Sequence, residues 1–247
     1  MFSQVNKWLY ISFGLIFCLT FFTKNNYHGV NRIAPDVLHA PVQEKIKGNE
    51  HIDFEIKGYS YDLTPVFEYE INALVVSKLN YKLFGIYRSD SIFPVDLCMI
   101  WGDNVLQKLY KNWTLRFSQD CRWCEVEWWG NLDFKLNEYS NCHLVTNKKS
   151  ILKKINRIVV GDQLRIKGKL VNIEGALVGK PDRYTPRQLS WKSSVSRTDS
   201  GAGACEIIYV EDIVFLRKAN QISYYLFHLS LYGLLILTAV NIVRFFV

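Results

Sequence analysis

The stretch VVGDQLRIKGKLVNIEG, residues 159–175, carries the pattern that decides the fold. After a turn predicted at Gly161 and Asp162, apolar residues alternate with polar ones, as expected for a strand with one buried face. Gly168 interrupts this alternation, and a glycine inside a strand is typical of a hard bend in a small closed barrel. The stretch therefore predicts a long strand that bends at Gly168.

Short strands are predicted on both sides of this stretch. The clearest pattern runs from Phe67 to Ala73, where every second residue is apolar. A helix is predicted from Asn147, a candidate N-cap residue, to Arg157. Many short strands, one helix and a glycine-kinked strand favour a mainly β domain, a small OB-like β-barrel of the oligonucleotide/oligosaccharide-binding type. The other predicted strands are Val95–Trp101, Thr114–Phe117, Trp123–Trp129, Cys142–Val145, Ser190–Val195 and Glu206–Leu216.

An uncharged apolar run lies near each end of the chain. The first, Trp8–Phe22, is bounded by lysines, and no small-residue cleavage site follows it. Residues 8–23 are therefore predicted to form an uncleaved transmembrane anchor helix after an N-terminal tail of residues 1–7. The second run, residues 222–243, begins with aromatic residues typical of a membrane interface and predicts a C-terminal transmembrane helix.

Between the two apolar runs the chain is predicted to hold one soluble domain. Residues 24–65 contain three prolines and no sustained period, so they are predicted to form an extended arm. The β-rich domain is predicted over residues 66–217, where aromatic residues occur along the whole length, unlike in disordered segments. A chain of 247 residues, 49% of them hydrophobic, can bury one substantial core there.

Basic residues are concentrated in one part of this domain. From Lys148 to Arg197 there are thirteen basic residues and three acidic ones. Such a stretch near a membrane would be attracted to anionic lipid headgroups, at about 1 kcal/mol per basic residue. A solvated helix and strand face has the same pattern. The predicted partners are thus the lipid bilayer and, through this stretch, anionic headgroups.

The charges beside the apolar runs do not fix the orientation in the membrane. Lys7 and Arg244 favour cytoplasmic termini, while Lys24 and Lys218 favour a cytoplasmic domain. A short N-terminal anchor with few preceding residues is a common tether of exported domains. We therefore predict the bacterial inner membrane, with the soluble domain in the periplasm.

Five blocks of the sequence resemble an uncharacterised group of bacterial membrane-anchored proteins. The resemblance covers most of residues 29–211 and implies a membrane-anchored protein, but it implies no activity. The C-terminal apolar run differs from the single N-terminal anchor that is usual in that group. The blocks are GVNRIAPDVLHAPVQ (29–43), PVDLCMIWG (94–102), SNCHLV (140–145), GDQLRIKGKLV (161–171) and WKSSVSRTDSGAGACEIIYVE (191–211).

The last of these blocks contains the most unusual loop of the chain. Its glycines allow a positive φ or the close approach of a ligand to the backbone. A pair formed by Arg197 and Asp199 could hold an anion or could brace the loop, and bracing is the favoured interpretation. The predicted binding residues are Trp191, Ser193, Ser194, Arg197, Asp199, Gly201 and Gly203.

His143 is the candidate general base, on a predicted strand. Asp96 or Asp199 could orient it, and Glu206 is a further candidate for the same cleft. The sequence has no Gly-x-Ser-x-Gly, phosphate-loop or His-Glu-x-x-His motif. A structural histidine is therefore favoured over a catalytic one.

The six cysteines do not have the pattern of a metal site. Cys121 and Cys124 have the spacing of a zinc knuckle, but no second ligand pair is near. Positions three apart on a strand point to opposite faces, so neither metal binding nor a mutual disulfide is favoured. Pairing with Cys98, Cys142 or Cys205 in an oxidising compartment stays open. No metal and no cofactor are predicted.

Three functions are compatible with the sequence. The first is a membrane-tethered β-barrel module of the bacterial cell envelope, which binds or scaffolds a partner protein, a lipid headgroup or a glycan through residues 191–205. The second is a membrane-associated hydrolase built on His143. The third is single-stranded nucleic-acid binding by an OB-like groove, which a periplasmic location disfavours. The missing nucleophile motif favours the first, non-enzymatic hypothesis.

Overall fold

Strands are the main secondary structure of the folded domain. A computed structural model describes residues 4–48, 50–81, 92–120, 122–178, 186–199, 201, 204–219 and 222–246. The strands are β1 Val42–Lys45, β2 Ile52–Ile56, β3 Tyr59–Asn80, β4 Val95–Ile100, β5 Arg116–Asp120, β6 Trp123–Glu127, β7 Tyr139–Val145, β8 Gln163–Leu177, β9 Gln188–Trp191 and β10 Glu206–Arg217. The α-helices are α1 Gln4–Phe21, α2 Gly102–Leu106, α3 Lys149–Asn156 and α4 Ile222–Phe246. The predicted mainly β class is confirmed.

The strand pairs of the large mixed sheet form a series that begins and ends at β3. Strand β3 is antiparallel to β4, and β4 is antiparallel to β7. Strand β7 runs parallel to β10, which is antiparallel to β8, and β8 pairs along most of β3. Strands β1, β2 and β9 extend the edges of β3 and β8, while β5 and β6 form a separate hairpin.

Gly168 lies where β8 and β10 approach each other too closely for a side chain. A Cβ atom at this position would lie 2.0 Å from the carbonyl oxygen of Tyr209. Beside it, the register of β10 shifts between Val210 and Asp212. The predicted strand is therefore confirmed as β8, and the backbone contact at residue 168 requires glycine.

The extended arm predicted for residues 24–65 is wrong over its second half. That segment contains β1, β2 and the first residues of β3. From Tyr59 to Leu63 every second residue is buried, the same period-two pattern that predicts the later part of β3. Pro65 does not end the strand because it lies at a register shift, where the ladder is already interrupted.

The predicted helix is confirmed as α3, but Asn147 does not cap it. Lys148 occupies the N-cap position and makes no capping hydrogen bond with its side chain. The side chain of Asn147 instead accepts a hydrogen bond from the hydroxyl of Tyr209, at 2.8 Å. The strand predicted at Ser190–Val195 is shorter and ends at Trp191, because the serines that follow are held by contacts within the next loop.

Strands β4 and β7 and the first half of β10 are buried on both faces. One face carries the main apolar core, which includes Tyr69, Trp101 and Cys142, with Ile151 and Ile155 of α3 packed on it. Two further apolar clusters cover the opposite face and the strand ends. Polar side chains on β4, β7 and β10 are therefore enclosed whichever face they point to.

The helices α1 and α4 pack against each other in antiparallel orientation. Near the start of α1, Asn6 donates a hydrogen bond to Asn241 near the end of α4, at 3.5 Å. At the other end of the pair, the rings of Phe17 and Phe227 stack with their centroids 5.1 Å apart. The first residues of α1 and the last residues of α4 therefore lie at the same end of this helical hairpin.

One helix of the described residues is long and apolar enough to cross a membrane, and it is α4 over Ile222–Val243. Most of its surface is not covered by the rest of the chain. Helix α1 carries Gln4, Asn6 and Lys7 in its first turn, which shortens its apolar part. A candidate membrane helix is thus present at the C-terminus, and the anchor at residues 8–23 stays a prediction.

Candidate functional site

A cleft of about 700 Å³ opens beside the loop that leads into β10. One wall is formed by residues 196–199, 201, 204 and 206, and the other by residues 123–124, 134–137 and 139–141. Three aromatic side chains line it together with amide and hydroxyl groups. Its charged residues balance, because they are Lys135, Arg197, Asp199 and Glu206.

Arg197 and Glu206 form an ion pair in the wall of this cleft. One guanidinium nitrogen donates to the Glu206 carboxylate, and the other donates to the hydroxyl of Tyr69 at 2.9 Å. The second carboxylate oxygen accepts a hydrogen bond from Ser140. The guanidinium also lies 5.7 Å from the ring of Trp101, within cation–π range. These contacts fix the loop before β10 to the sheet.

Burial and charge oppose each other in this ion pair. Burial raises the pKa of Glu206, a cost that the Arg197 charge and the Ser140 hydroxyl partly offset. Burial would lower the pKa of Arg197, but Tyr69 and Glu206 raise it above its usual value. Removing one partner would leave the other charge buried without compensation, so the pair holds the loop before β10 against the sheet.

The predicted binding residues of the loop mostly brace it from within. The hydroxyl of Ser193 accepts a hydrogen bond from a backbone N–H of β10 at 3.0 Å. The hydroxyl of Ser194 donates to Asp199 at 2.5 Å. Arg197 is paired with Glu206 and Asp199 with Ser194, so the predicted pair of Arg197 with Asp199 is wrong.

The remaining predicted binding residues differ in position. Trp191 packs edge-to-face on Phe93, with centroids 5.3 Å apart, and does not contribute to the cleft wall. Gly201 lines the cleft with a positive φ of 78°, a conformation that favours glycine. Gly203 lies outside the described residues. The predicted binding residues that line the cleft are Arg197, Asp199 and Gly201.

A disulfide joins Cys98 in β4 to Cys124 in β6. It fixes the β5–β6 hairpin on the sheet, where Tyr139 also donates a hydrogen bond to the carbonyl oxygen of Cys124. Cys124 is therefore not available as a metal ligand, and Cys121 lies outside the described residues. In the part of the chain that the structure describes, no three His, Cys, Asp or Glu side chains are grouped to hold a metal ion.

His143 and Asp96 face each other across β7 and β4, on the face opposite to Glu206. His143 is 6% exposed and Asp96 is fully buried. Nδ1 of His143 lies 2.7 Å from one Asp96 oxygen, a contact bent away from a linear hydrogen bond. The other oxygen accepts a hydrogen bond from the hydroxyl of Tyr81 at 2.5 Å, and Tyr81 is in turn bonded to Arg122. The carboxylate thus orients the imidazole.

Cys205 is the second group that acts on this imidazole. Nδ2 of Asn141 donates a hydrogen bond to its sulfur at 3.3 Å. Burial disfavours the charged imidazole, but Asp96 and Cys205 outweigh that effect and raise the pKa of His143 to about 9. Cys205 is partly exposed, and its neighbour Ala204 lines the cleft.

The four predicted catalytic residues form two groups rather than one. In the parallel pairing of β7 with β10, Glu206 lies opposite the residue before His143. Consecutive residues of a strand point to opposite faces, so His143 with Asp96 is separated from Glu206 with Asp199. No sequence motif identifies Cys205 as a candidate functional residue. It comes close to His143 only because β7 and β10 pair in parallel.

Several basic side chains from the predicted lipid-binding stretch are engaged in ion pairs. Lys154 lies 2.7 Å from an oxygen of Asp212, and Lys169 lies 2.7 Å from one of Glu50. The Arg165 guanidinium similarly contacts a carboxylate at 2.8 Å. These pairs fit a solvated, ion-paired surface.

Comparison of the chain with protein-family models, curated proteins and solved structures gave no match. Its function is therefore inferred from the geometry of the cleft and of the cluster beside it.

Proposed function

We propose that the chain is a membrane-tethered, OB-like β-barrel of the bacterial cell envelope that binds a neutral glycan in the cleft beside Arg197 and Glu206. The observation that carries the proposal is the lining of that cleft. The aromatic side chains of Trp123, Phe134 and Tyr139 lie next to amide and hydroxyl groups, with no excess of either charge. Such a surface offers apolar faces for sugar rings and hydrogen bonds for their hydroxyl groups.

The order of the strand pairs supports the barrel. A series from β3 through β4, β7, β10 and β8 back to β3 is what a closed five-stranded barrel requires. The connection between the fourth and fifth strands of an OB barrel borders its ligand site. In this chain that connection joins β8 to β10, and its residues 196–199, 201 and 204 form most of one cleft wall.

The charges of the cleft favour a neutral ligand over a phosphate-bearing one. Lys135 is bonded to both oxygens of Asp133, at 2.8 and 2.9 Å, and Arg197 is bonded to Glu206. Neither cation is left alone to meet a phosphate, whereas nucleic-acid binding depends on uncompensated positive charge. Nucleic acid and anionic lipid headgroups are thus disfavoured as ligands of this cleft.

Helices α1 and α4 would form the tether in the inner membrane, with the domain in the periplasm. The disulfide between Cys98 and Cys124 supports an exported domain, since cytosolic thiols are kept reduced. A glycan of the cell envelope would be within reach of a domain held at that surface.

Titration of the full-length chain in detergent micelles with chitotriose, cellotriose and maltotriose, followed by tryptophan fluorescence, tests the proposal. We expect at least one to bind saturably, and Trp123→Ala to weaken binding about tenfold because an aromatic wall is lost. Trp113→Ala is the matched control, because Trp113 is 82% exposed and does not line the cleft.

Two results would overturn it. One is the absence of saturable binding for all three sugars, or equal loss in both tryptophan variants. The other is tighter binding of oligothymidylate with an affinity that falls steeply with salt, which would favour the nucleic-acid function instead.

A further inference from the structure

The cluster of Cys205, His143 and Asp96 has the arrangement of a nucleophile, a base and an orienting carboxylate. Asp96 lies on the Nδ1 side of the imidazole at 2.7 Å, which leaves the other ring nitrogen for the Cys205 thiol. Tyr81 donates a hydrogen bond to the Asp96 carboxylate, and Asn141 donates one to the Cys205 sulfur. A nucleophile hydrogen-bonded to a base that a third group orients is the signature of covalent catalysis.

We propose that Cys205 is the nucleophile of an acyl-transfer site, with His143 as its acid–base partner and Asp96 as the positioning residue. The substrate class is an ester or amide whose carbonyl group reaches the partly exposed sulfur at the edge of the cleft, which Cys205 itself does not line. This activity is separate from glycan binding and does not depend on it.

The reaction balances with water as the only co-reactant. In the resting pair His143 holds the proton of Cys205, and the thiolate attacks the carbonyl carbon of the substrate. The bond from that carbon to the leaving oxygen or nitrogen breaks, and the leaving group takes the proton from His143. Water then attacks the thioester with His143 accepting its proton, which releases the acid and restores the thiol. Nδ2 of Asn141 donates both to the sulfur and to the carbonyl oxygen of Arg122, and its hydrogen bond to the reacting group would stabilise the oxyanion.

The position of Cys205 in the chain gives a substrate access to it. Ala204, Glu206 and Asn141 all line the cleft, and Cys205 is the partly exposed residue between the first two. His143 and Asp96 are enclosed behind it, so water is excluded from the base while the nucleophile is reachable. A purely structural cluster would not require an exposed sulfur.

Cys142 is a control within the same chain. It precedes His143 on β7, is fully buried, and its thiol has a pKa raised well above the usual value, because burial disfavours the thiolate. Cys205 and Cys142 are both free thiols, so their reactivities can be compared in one sample.

Alkylation of the full-length chain by iodoacetamide, mapped by peptide mass spectrometry from pH 5.5 to 9, tests the pairing. A thiolate stabilised by His143 predicts a Cys205 rate that changes less than threefold between pH 6 and 8. In His143→Ala the rate should rise about tenfold per pH unit in that range, as for an ordinary thiol. Asp96→Asn should give an intermediate profile, and Cys142 should stay unmodified throughout.

A burst experiment with p-nitrophenyl acetate tests the covalent step. We expect one acetyl group on Cys205 in the full chain and in Cys142→Ala, and none in Cys205→Ser. The wild-type profile is decisive even if the His143 variant does not fold. A Cys205 rate that rises tenfold per pH unit in the unaltered chain, a burst that survives Cys205→Ser, or Cys205 recovered in a disulfide would each overturn the proposal.

Discussion

His143 is a buried histidine beside a buried carboxylate, so its contribution to folding depends on pH. Its pKa is about 9 in the folded chain, above the value of about 6.5 expected when it is unfolded. A raised pKa of this kind stabilises the fold below about pH 6.5, and that stabilisation is lost as the pH rises through about 9. The difference amounts to about 3 kcal/mol.

Denaturant unfolding of the wild-type chain and of His143→Gln at pH 6 and pH 9.5 measures this contribution. The free energy of unfolding of the wild type should exceed that of the variant by about 3 kcal/mol more at the lower pH. His39→Gln, at an exposed position, should differ from the wild type by the same small amount at both pH values. A gap that does not narrow with rising pH would contradict the raised pKa.

Gly168 is the residue whose replacement by alanine should be most damaging to the sheet. The new Cβ would lie 2.0 Å from a backbone oxygen of β10, which cannot move aside as a flexible side chain does. We expect Gly168→Ala to lower the free energy of unfolding by about 3 kcal/mol or more. Gly29→Ala, whose Cβ would come no closer than 3.4 Å to a neighbour, should change it by less than about 0.5 kcal/mol. Equal losses in denaturant unfolding would refute the close approach of β8 to β10.

The sequence identifies Gly168 as a special position of the strand, because this glycine interrupts a clear period-two pattern. It does not identify Cys205 as a partner of His143, because that contact depends on a parallel pairing between residues more than sixty positions apart. The pairing of Arg197 with Glu206 rather than Asp199 has the same cause: the loop folds back on β10, and no local pattern records that.

Among the elements, the helical hairpin of α1 and α4 depends on a small residue at its interface. A Cβ at Gly233 would lie 2.7 Å from the ring of Phe13, whereas a Cβ at Gly14 would meet nothing within 4 Å. We expect Gly233→Leu to separate the helices and Gly14→Leu to leave them packed.

Disulfide cross-linking between cysteines introduced as Asn6→Cys and Asn241→Cys, in a Cys18→Ser background, reports the contact. These side chains are 3.5 Å apart in the native pair, so the parent should cross-link readily. The cross-linked fraction should fall several-fold with Gly233→Leu and stay unchanged with Gly14→Leu. The same fraction in both leucine variants would show that the helices are not packed at Gly233.

The strands with clear periods and helix α3 were predicted from the sequence, while β1, β2 and the short helix α2 were missed. Both missed strands are short; β1 follows Pro41 directly, and β2 is joined to β3 by a tight turn in which Lys57 and Gly58 have positive φ. A four- or five-residue strand carries too few alternations to stand out from a loop. Such strands form because β3 offers them an edge to pair with, which is a tertiary effect.

At the scale of the whole molecule, the antiparallel packing of α1 and α4 places both chain ends on one side and the domain on the other. The order in which five strands pair is likewise a property of the whole chain, and sequence patterns alone do not determine it. Because the chain ends and the domain lie on opposite sides of the helix pair, the orientation of the chain in the membrane decides which partners the domain can reach. The proposed periplasmic location requires that Cys98 and Cys124 be oxidised and that both chain ends lie in the cytoplasm.

Fusion of a fluorescent protein after Val247 should therefore give bright cells, and fusion of alkaline phosphatase there should give an inactive enzyme, because both chain ends would lie in the cytoplasm. A cysteine introduced as Trp113→Cys, at a position that is 82% exposed, should react with an impermeant maleimide in intact spheroplasts. Lys7→Cys, at the other end of α1, is the control that should stay unlabelled, provided that both variants are made in a Cys18→Ser and Cys205→Ser background. Active phosphatase at the C-terminus together with a protected residue 113 would place the domain in the cytoplasm. In that case thiols would be kept reduced, so the disulfide would not form and an envelope glycan would be out of reach.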